Sequence, residues 1–327
     1  MSVLVFAPVQ DNVLKKVALE AVSLGARLAR NLQSSCVVLT SARIPDEGAR
    51  QLSDLGVSHH YWVENELADA DSVVQTLAQV AAQCEARQVV VSNTYLGKAV
   101  APRLAVRLQL PLASGVIDFP TANAEGWEVR RSVFSNKGFA YLQIQGSSCV
   151  LAITPNSFPL ENHPNPDMKS ELLAGGSAGA TGVAGRVRLN RVDRVAGKIP
   201  LTEAERVVSA GRGLKGPENW HLVESLAAGL DAATACSKPV SDMHWRPHEE
   251  HVGQTGITIK PDLYVAVGIS GAIQHLAGVS SSKVIVAINS DKEAPFFKIA
   301  DYGVVGDAFD VLPRLTEAVQ RFKATQA

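Results

Sequence analysis

Gly211-Arg212-Gly213-Leu214-Lys215-Gly216 spells G-x-G-x-x-G between an expected strand, residues 206–210, and an expected helix with Pro217 near its start. Glycines placed there let the backbone approach a pyrophosphate, and a helix N-terminus favours the anion. Asp231, 18 residues past Gly213, stands at the distance of a ribose-binding acid, but before the next strand and not at its C-terminal end. Arg212 and Lys215 put two cations inside the loop, where a nicotinamide fingerprint relies on backbone alone. The plain alternative is a strand-to-helix turn, and an NAD(P)-dependent oxidoreductase using residues 211–216 is the competing functional reading.

A second stretch repeats this logic. Residues 263–268 are almost continuously apolar, as a central parallel strand is, and lead through Gly268-Ile269-Ser270-Gly271 into Ala272-Ile273-Gln274-His275. Open α/β sheets bind phosphates at such strand ends. The next strand ends in Asn289-Ser290-Asp291, and residues 303–307 end at Asp307. Taken singly, each end reads as a cap or turn. Together, strand ends offering Gly, Ser, Asn or Asp on one edge favour a large dinucleotide.

A third loop, Val252-Gly253-Gln254-Thr255-Gly256, offers backbone N–H groups, an amide and a hydroxyl to a neutral hydrogen-bonding ring, or is a simple turn. Upstream, His248 and His251 are three residues apart after Pro247, whereas the HExxH zinc motif needs four on a helix, so no metal site is expected. No nucleophile elbow and no Ser/His/Asp triad stands out, so no catalytic residue is assigned. His59 and His60, at the start of a strand, read as surface residues.

Strands and helices must hold these loops. Residues 2–8, 35–40, 60–63 and 88–92 read as strands, alternating with helices at 12–31, 73–85 and 100–108. Residues 127–135 and 138–145 read as a hairpin joined at Asn136-Lys137-Gly138, followed by a strand at 149–154. Residues 155–185 hold four prolines before Asp167 and five glycines after Ala174, a linker or mobile-loop composition. A strand at 187–192 would close the first domain. Beyond it, strands at 206–210, 233–237, 263–268, 284–289 and 303–305 alternate with helices at 219–229, 271–277, 294–300 and 309–323. The fold class expected is α/β: two domains, 1–195 and 196–327, each a mostly parallel sheet flanked by helices, the second doubly wound.

Composition bounds the function. The 327 residues carry 31 Lys+Arg against 32 Asp+Glu, which argues against a general nucleic-acid binder. Apolar runs fall short of the ~18 residues of a membrane span, so no membrane insertion is expected. The N-terminus has no basic n-region and no A-x-A site. Cys36, Cys84, Cys149 and Cys236 lie far apart without a CxxC pair and read as reduced thiols of a cytoplasmic protein.

VVSAGRGL within 206–214, VGQTG at 252–256, LYVAVGISGAIQHLAG at 263–278, and VIVAIN followed by APFFKIADYGVVGD within 284–307 resemble the electron transfer flavoprotein α-subunit family. LVFAP near the start and TYLGKAVAPRLAVRL at 94–108 resemble its N-terminal domain more weakly. The resemblance implies a heterodimer with a β-subunit and one FAD per heterodimer, held mainly by this chain's C-terminal domain. AMP or a second FAD on the partner is left open. It further implies an electron carrier with no substrate turnover of its own, shuttling electrons from dehydrogenases, such as the acyl-CoA dehydrogenases of fatty acid β-oxidation, to a quinone-linked acceptor oxidoreductase.

The family's FAD contacts fall on Arg212, Ser237, Val252, Gly253, Gln254, Thr255, Ser270, Gly271, Ala272, Ile273, Gln274, His275, Asn289 and Asp307. By this resemblance Ser270 and neighbouring amides cradle the pyrophosphate with Arg212, and Thr255 faces flavin N5. His275 donates near O2, and Asn289 and Asp307 serve the ribose and adenine end. The chain departs from the family at Lys238, where Arg is common, and at His251, where Gln is usual. Lys keeps the charge but not the planar fork.

Overall fold

The computed structural model describes residues 2–64, 67, 69–134, 138–173 and 199–326. The chain divides into two compact units, Met1–Val133 with Phe139–Arg194, and Val195–Ala327 with Phe134–Gly138.

In the first unit the strand Ser2–Ala7 is buried on both faces, as a central parallel strand must be. Val3, Val5 and Ala7 pack with Ala18, Ala21 and Val22 of helix Lys16–Asn31, while Leu4 and Phe6 pack with helices Ala70–Gln83 and Tyr95–Leu108. Parallel partners Ser35–Thr40 and Ala86–Ser92 flank it. On one side the sheet runs on through Cys149–Ile153 and Leu112–Val116 to Gly126–Val133 and Gly138–Gln145. On the other it runs through His59–Trp62 to the edge strand Lys169–Leu172.

Several local expectations give way. The helix expected from residue 12 begins at Lys16, because Asp11 and Asn12 turn through positive φ and pair Val13–Leu14 with Val9–Gln10. Asp and Asn tolerate that left-handed conformation better than other side chains. Helix Asp46–Asp54 and strands Leu112–Val116 and Lys169–Leu172 are additions; the last is four exposed residues with no apolar alternation to reveal it. Residues 155–173, expected to start a linker, are instead tied to helix Lys16–Asn31. Arg27 Nη1 and Arg30 Nη2 donate to the Glu161 carboxylate at 2.8 and 3.0 Å, and Ser23 Oγ donates to the Pro159 carbonyl. The glycine-rich part of that stretch, the strand expected at 187–192, and residues 136 and 137 of the hairpin turn lie outside the described residues.

His60 is not a surface residue. It is 1 % exposed, with Nε2 3.0 Å from Thr40 Oγ1 and Nδ1 2.8 Å from Ser170 Oγ on the edge strand. Burial, with the neighbouring charge of His59 adding to it, pushes its pKa down to about 4. The unfolded chain then takes up a proton near pH 6.5 that the folded chain resists until about pH 4. The contribution is complete above 6.5 and is lost as the pH falls through that window. From 1.36 kcal/mol per pKa unit it is on the order of 3 kcal/mol. Melting temperatures measured from pH 7 down to 4.5 should fall, and the slope should flatten in His60→Gln; parallel curves would contradict this.

The second unit is one five-stranded parallel sheet. Its order is Ala233–Cys236, Arg206–Ala210, Leu263–Val267, Val284–Asn289 and Tyr302–Val305. Side chains alternate between two cores. Val207, Ala235, Tyr264, Ala266 and Ile285 face helix Ile273–Val279, and Val208, Cys236, Val265, Val267 and Ile288 face helices His221–Leu230 and Ala308–Gln326. This is the doubly wound arrangement expected. The helix expected at 294–300 shrinks to a single 3-10 turn, Pro295–Lys298.

Candidate functional site

In chain order the five strands run 2-1-3-4-5 across the sheet, so the direction of winding reverses between Arg206–Ala210 and Leu263–Val267. The crevice outside the C-terminal ends of strands at such a reversal is where open α/β sheets bind ligands. Two glycine loops meet there backbone to backbone. Gly211 N donates to Val267 O at 2.9 Å, and Gly213 N donates to Gly268 O at 3.1 Å. A Cβ on Gly213 would stand 2.6 Å from Gly268 Cα, and one on Gly211 would collide with Gly268 O. Gly268 has φ +58° and Gly271 φ +94°, in the left-handed region open to glycine. Among the described residues, the amides of Ser270, Gly271 and Ala272 donate no hydrogen bond. The crevice therefore has a floor without side chains and a wall of unengaged N–H donors, a shape and polarity suited to an anionic group.

The remaining expected residues gather on the same edge. Arg212 is exposed and has no ion-pair partner among the described residues. Lys215 is engaged: its Nζ lies 3.5 Å from Asp307 Oδ2 and over the Phe309 ring. Asp307 accepts from Phe309 N at 3.0 Å at the start of helix Ala308–Gln326, and that bond, with Lys215, holds its carboxyl below the usual range. Asn289 spends both ends of its amide locally, donating to Ile269 O and accepting from Asp291 N, and so steadies the Ser270 loop. Ser237 is buried at the start of helix Lys238–Asp242. Lys238 points into an exposed ion pair with Asp242, 2.7 Å from Oδ2.

The 252–256 loop docks along helix Ile273–Val279. Gln254 N donates to Gln274 O at 2.7 Å, and a Cβ on Gly278 would stand 2.6 Å from Gly253 Cα. Gln254, Thr255, Ser270, Ala272, Ile273 and Gln274 are exposed, whereas Val252 and Gly253 are buried beneath them. His275 is turned inward. It is 7 % exposed, its Nε2 is 2.8 Å from Tyr264 Oη, and its Nδ1 is buried without a hydrogen bond. Burial first, then the charge of His251, pushes its pKa down to about 4, with the Val252 backbone opposing. His251 is also buried, its pKa lowered by burial and by nearby His248 and Lys238. Tyr264 and Asp242 are the residues that sequence reasoning missed. A tyrosine inside an otherwise aliphatic strand was the available signal, because its buried hydroxyl needs a partner.

Residues 200–280 match the electron transfer flavoprotein FAD-binding domain, and residues 3–178 match the electron transfer flavoprotein domain. Among curated proteins, the chain is 35 % identical over 320 residues to "Electron transfer flavoprotein subunit alpha" of Syntrophomonas wolfei, covering 97 % of this chain and 98 % of that one. It is 34 % identical to the Bacillus subtilis protein of the same name, covering 96 % of each. To that of Mycobacterium tuberculosis it is 38 % identical over 327 residues, covering 98 % and 99 %. The chain belongs to the electron transfer flavoprotein α-subunit family.

The glycine-floored crevice lies in the FAD-binding domain of this family, and its features fit a dinucleotide: a cradle any Cβ would fill and, among the described residues, amides that donate no hydrogen bond beside a cation without an ion pair. Asn289 and Asp307 stand beyond the matched segment. Among the described residues, no group of three or more His, Cys, Asp or Glu is placed to hold a metal, and no helix is long and apolar enough to cross a membrane.

Proposed function

We propose that this α-subunit holds one FAD in the crevice between residues 211–213 and 268–272 and works as a redox carrier in a heterodimer with a β-subunit. It would accept electrons from dehydrogenases, such as acyl-CoA dehydrogenases of fatty acid β-oxidation, and pass them to a quinone-linked acceptor in the cytoplasm, without a substrate of its own. The partner would hold AMP or a second FAD. The observation that carries this reading is the backbone-to-backbone contact of two glycine loops at the sheet's reversal point, beside exposed Arg212. Bound FAD supplies one- and two-electron chemistry. This chain's part is to bind and orient it. The amides of 270–272 and Arg212 would hold its phosphates, and Gln254 and Thr255 would offer an amide and a hydroxyl to the ring. The NAD(P) alternative has less support: Asp231 ends helix His221–Leu230 at positive φ, pairs with Lys323, and precedes strand Ala233–Cys236, at the edge opposite the crevice.

The test is co-purification with the β-subunit: the complex should carry FAD, and the α-chain alone should retain it poorly. A monodisperse, fully loaded α-chain at micromolar concentration would contradict the shared site.

Lys238 and Asp242 bear on the flavin potential together. A cation near the ring favours the reduced anion, and its ion-pair partner offsets that effect. Lys238→Met should lower the potential and Asp242→Asn should raise it, each by tens of millivolts, on a scale of ~59 mV per tenfold change in a one-electron equilibrium. Redox titration of both variants checks this; unmoved potentials in both would place the pair away from the ring's influence. Lys238→Arg, keeping the charge and adding a planar fork, should raise the potential slightly.

A further inference from the structure

Arg246 stands between three segments of the second unit, its side chain only 16 % exposed. Its guanidinium meets the Glu250 carboxylate as a fork, Nε donating to Oε2 and Nη2 to Oε1, both at 2.7 Å. Nη1 donates to Glu224 Oε1 on helix His221–Leu230 at 3.0 Å. The guanidinium carbon lies over the buried Trp220 ring, 5.3 Å from its centroid. A planar guanidinium can do all of this at once, pairing on two edges and stacking on a face; an ammonium cannot. The two carboxylates differ in weight. Glu224 is 52 % exposed, so water screens its pairing, whereas the Glu250 side chain is 7 % exposed and its fork is shielded.

Glu250 ends the 3-10 turn His248–Glu250, and the next two residues lie against strand Ala233–Cys236. His251 forms a parallel bridge with Cys236, and Val252 N donates to Cys236 O at 3.0 Å. A pairing this short is weak by itself and needs an anchor. Directly after it comes the 252–256 loop, closed by Ile257 N donating to His251 O at 2.9 Å. Trp220, on the other side, ends the 3-10 turn Pro217–Trp220 that follows residues 211–216. One guanidinium therefore ties the entry of the 252–256 loop to the segment that leaves the first glycine loop.

We propose that Arg246 is a positioning residue for the FAD crevice: its fork to Glu250 pins residues 251 and 252 on the sheet edge and so sets where the following loop presents Gln254 and Thr255. The consequence for FAD rests on the function proposed above; the pinning of the edge does not.

Hydrogen exchange in the full chain, in complex with its β-subunit, tests this with Arg246→Lys, Glu250→Gln and Glu224→Gln. Lysine keeps the charge and the stem but cannot form the fork. In the cofactor-stripped complex, Arg246→Lys and Glu250→Gln should each speed exchange of the Val252 and Ile257 amides roughly 10- to 100-fold, the scale of one lost charge-assisted hydrogen bond. Amides of strand Leu263–Val267 should keep their wild-type rates, which a general loss of stability would not spare. Glu224→Gln, which removes the exposed pairing alone, should move the loop amides far less. On titration with FAD, Arg246→Lys and Glu250→Gln should raise the dissociation constant about tenfold, because binding must then re-order the released loop. They should also lower the flavin potential, as the reduced ring loses fixed donors. Wild-type exchange at Val252 and Ile257 in both variants overturns the proposal, as does equal acceleration in strand Leu263–Val267. Faster loop exchange with FAD affinity and potential unchanged overturns it too, and leaves Arg246 a purely structural residue. If the wild-type complex binds no FAD, the carrier reading fails while the exchange rates still decide the pinning.

Discussion

Gly268→Ala is expected to empty the crevice. At φ +58° an alanine pays about 1–2 kcal/mol for the left-handed conformation alone. Its Cβ would also stand 2.8 Å from Gly213 Cα, where backbone and not a pliable side chain must yield. Parting two packed segments to admit a methyl adds about 1–3 kcal/mol. Because the same two loops form the proposed floor of the FAD site, most of that cost should appear in binding. At 1.4 kcal/mol per tenfold, the affinity should fall by roughly 100-fold, and the complex should purify nearly colourless. Gly146→Ala in the first unit separates the two costs. It has φ +86° but nothing within 4 Å of its Cβ, so it should lower the melting temperature slightly and leave FAD content unchanged. Equal flavin content in wild type and Gly268→Ala would show that the crevice floor is not where the cofactor lies.

Arg212→Ala is expected to weaken FAD retention while leaving the melting temperature of the cofactor-free chain nearly unchanged. The side chain is exposed and makes no ion pair among the described residues, so its removal breaks nothing in the fold. A charge-assisted contact to phosphate contributes roughly 1.5–3 kcal/mol, one to two decades in affinity. Lys215→Ala should do less, because that ammonium is already shared between Asp307 and the face of Phe309. Titration of FAD into the cofactor-stripped complex at physiological salt checks both. Wild-type affinity in Arg212→Ala would make it a plain surface residue.

Much of the second unit was legible because its strands are largely apolar and each ends in, or is followed at once by, Gly, Ser or Asn. That pattern alone places the crevice on one edge of the sheet. What pattern reading could not reach is where side chains turn once they are packed. Lys238 reads as a cation available to a ring, and the first turn of its helix gives it to Asp242 instead. His275 reads as a donor at the crevice, yet the tyrosine eleven residues earlier draws its ring inward. Such pairings depend on which faces of a strand and a helix meet, and spacing along the chain does not encode this. In the first unit the same limit hid the burial of His60, whose partners Thr40 and Ser170 come from two other strands. The edge strand Lys169–Leu172 was invisible for another reason: with both faces exposed, it has no hydrophobic alternation to read.

This chain, with its β-subunit, is proposed to carry FAD as an electron shuttle. The most direct test is the visible absorbance of the purified complex when a catalytic amount of an acyl-CoA dehydrogenase and excess acyl-CoA substrate are added without oxygen. The oxidised-flavin bands should bleach in the wild-type complex and return when a quinone-linked acceptor is supplied. A complex that holds FAD but keeps its oxidised bands with every acyl-CoA dehydrogenase tried would contradict that donor class. A complex that holds no flavin at all would contradict the site itself.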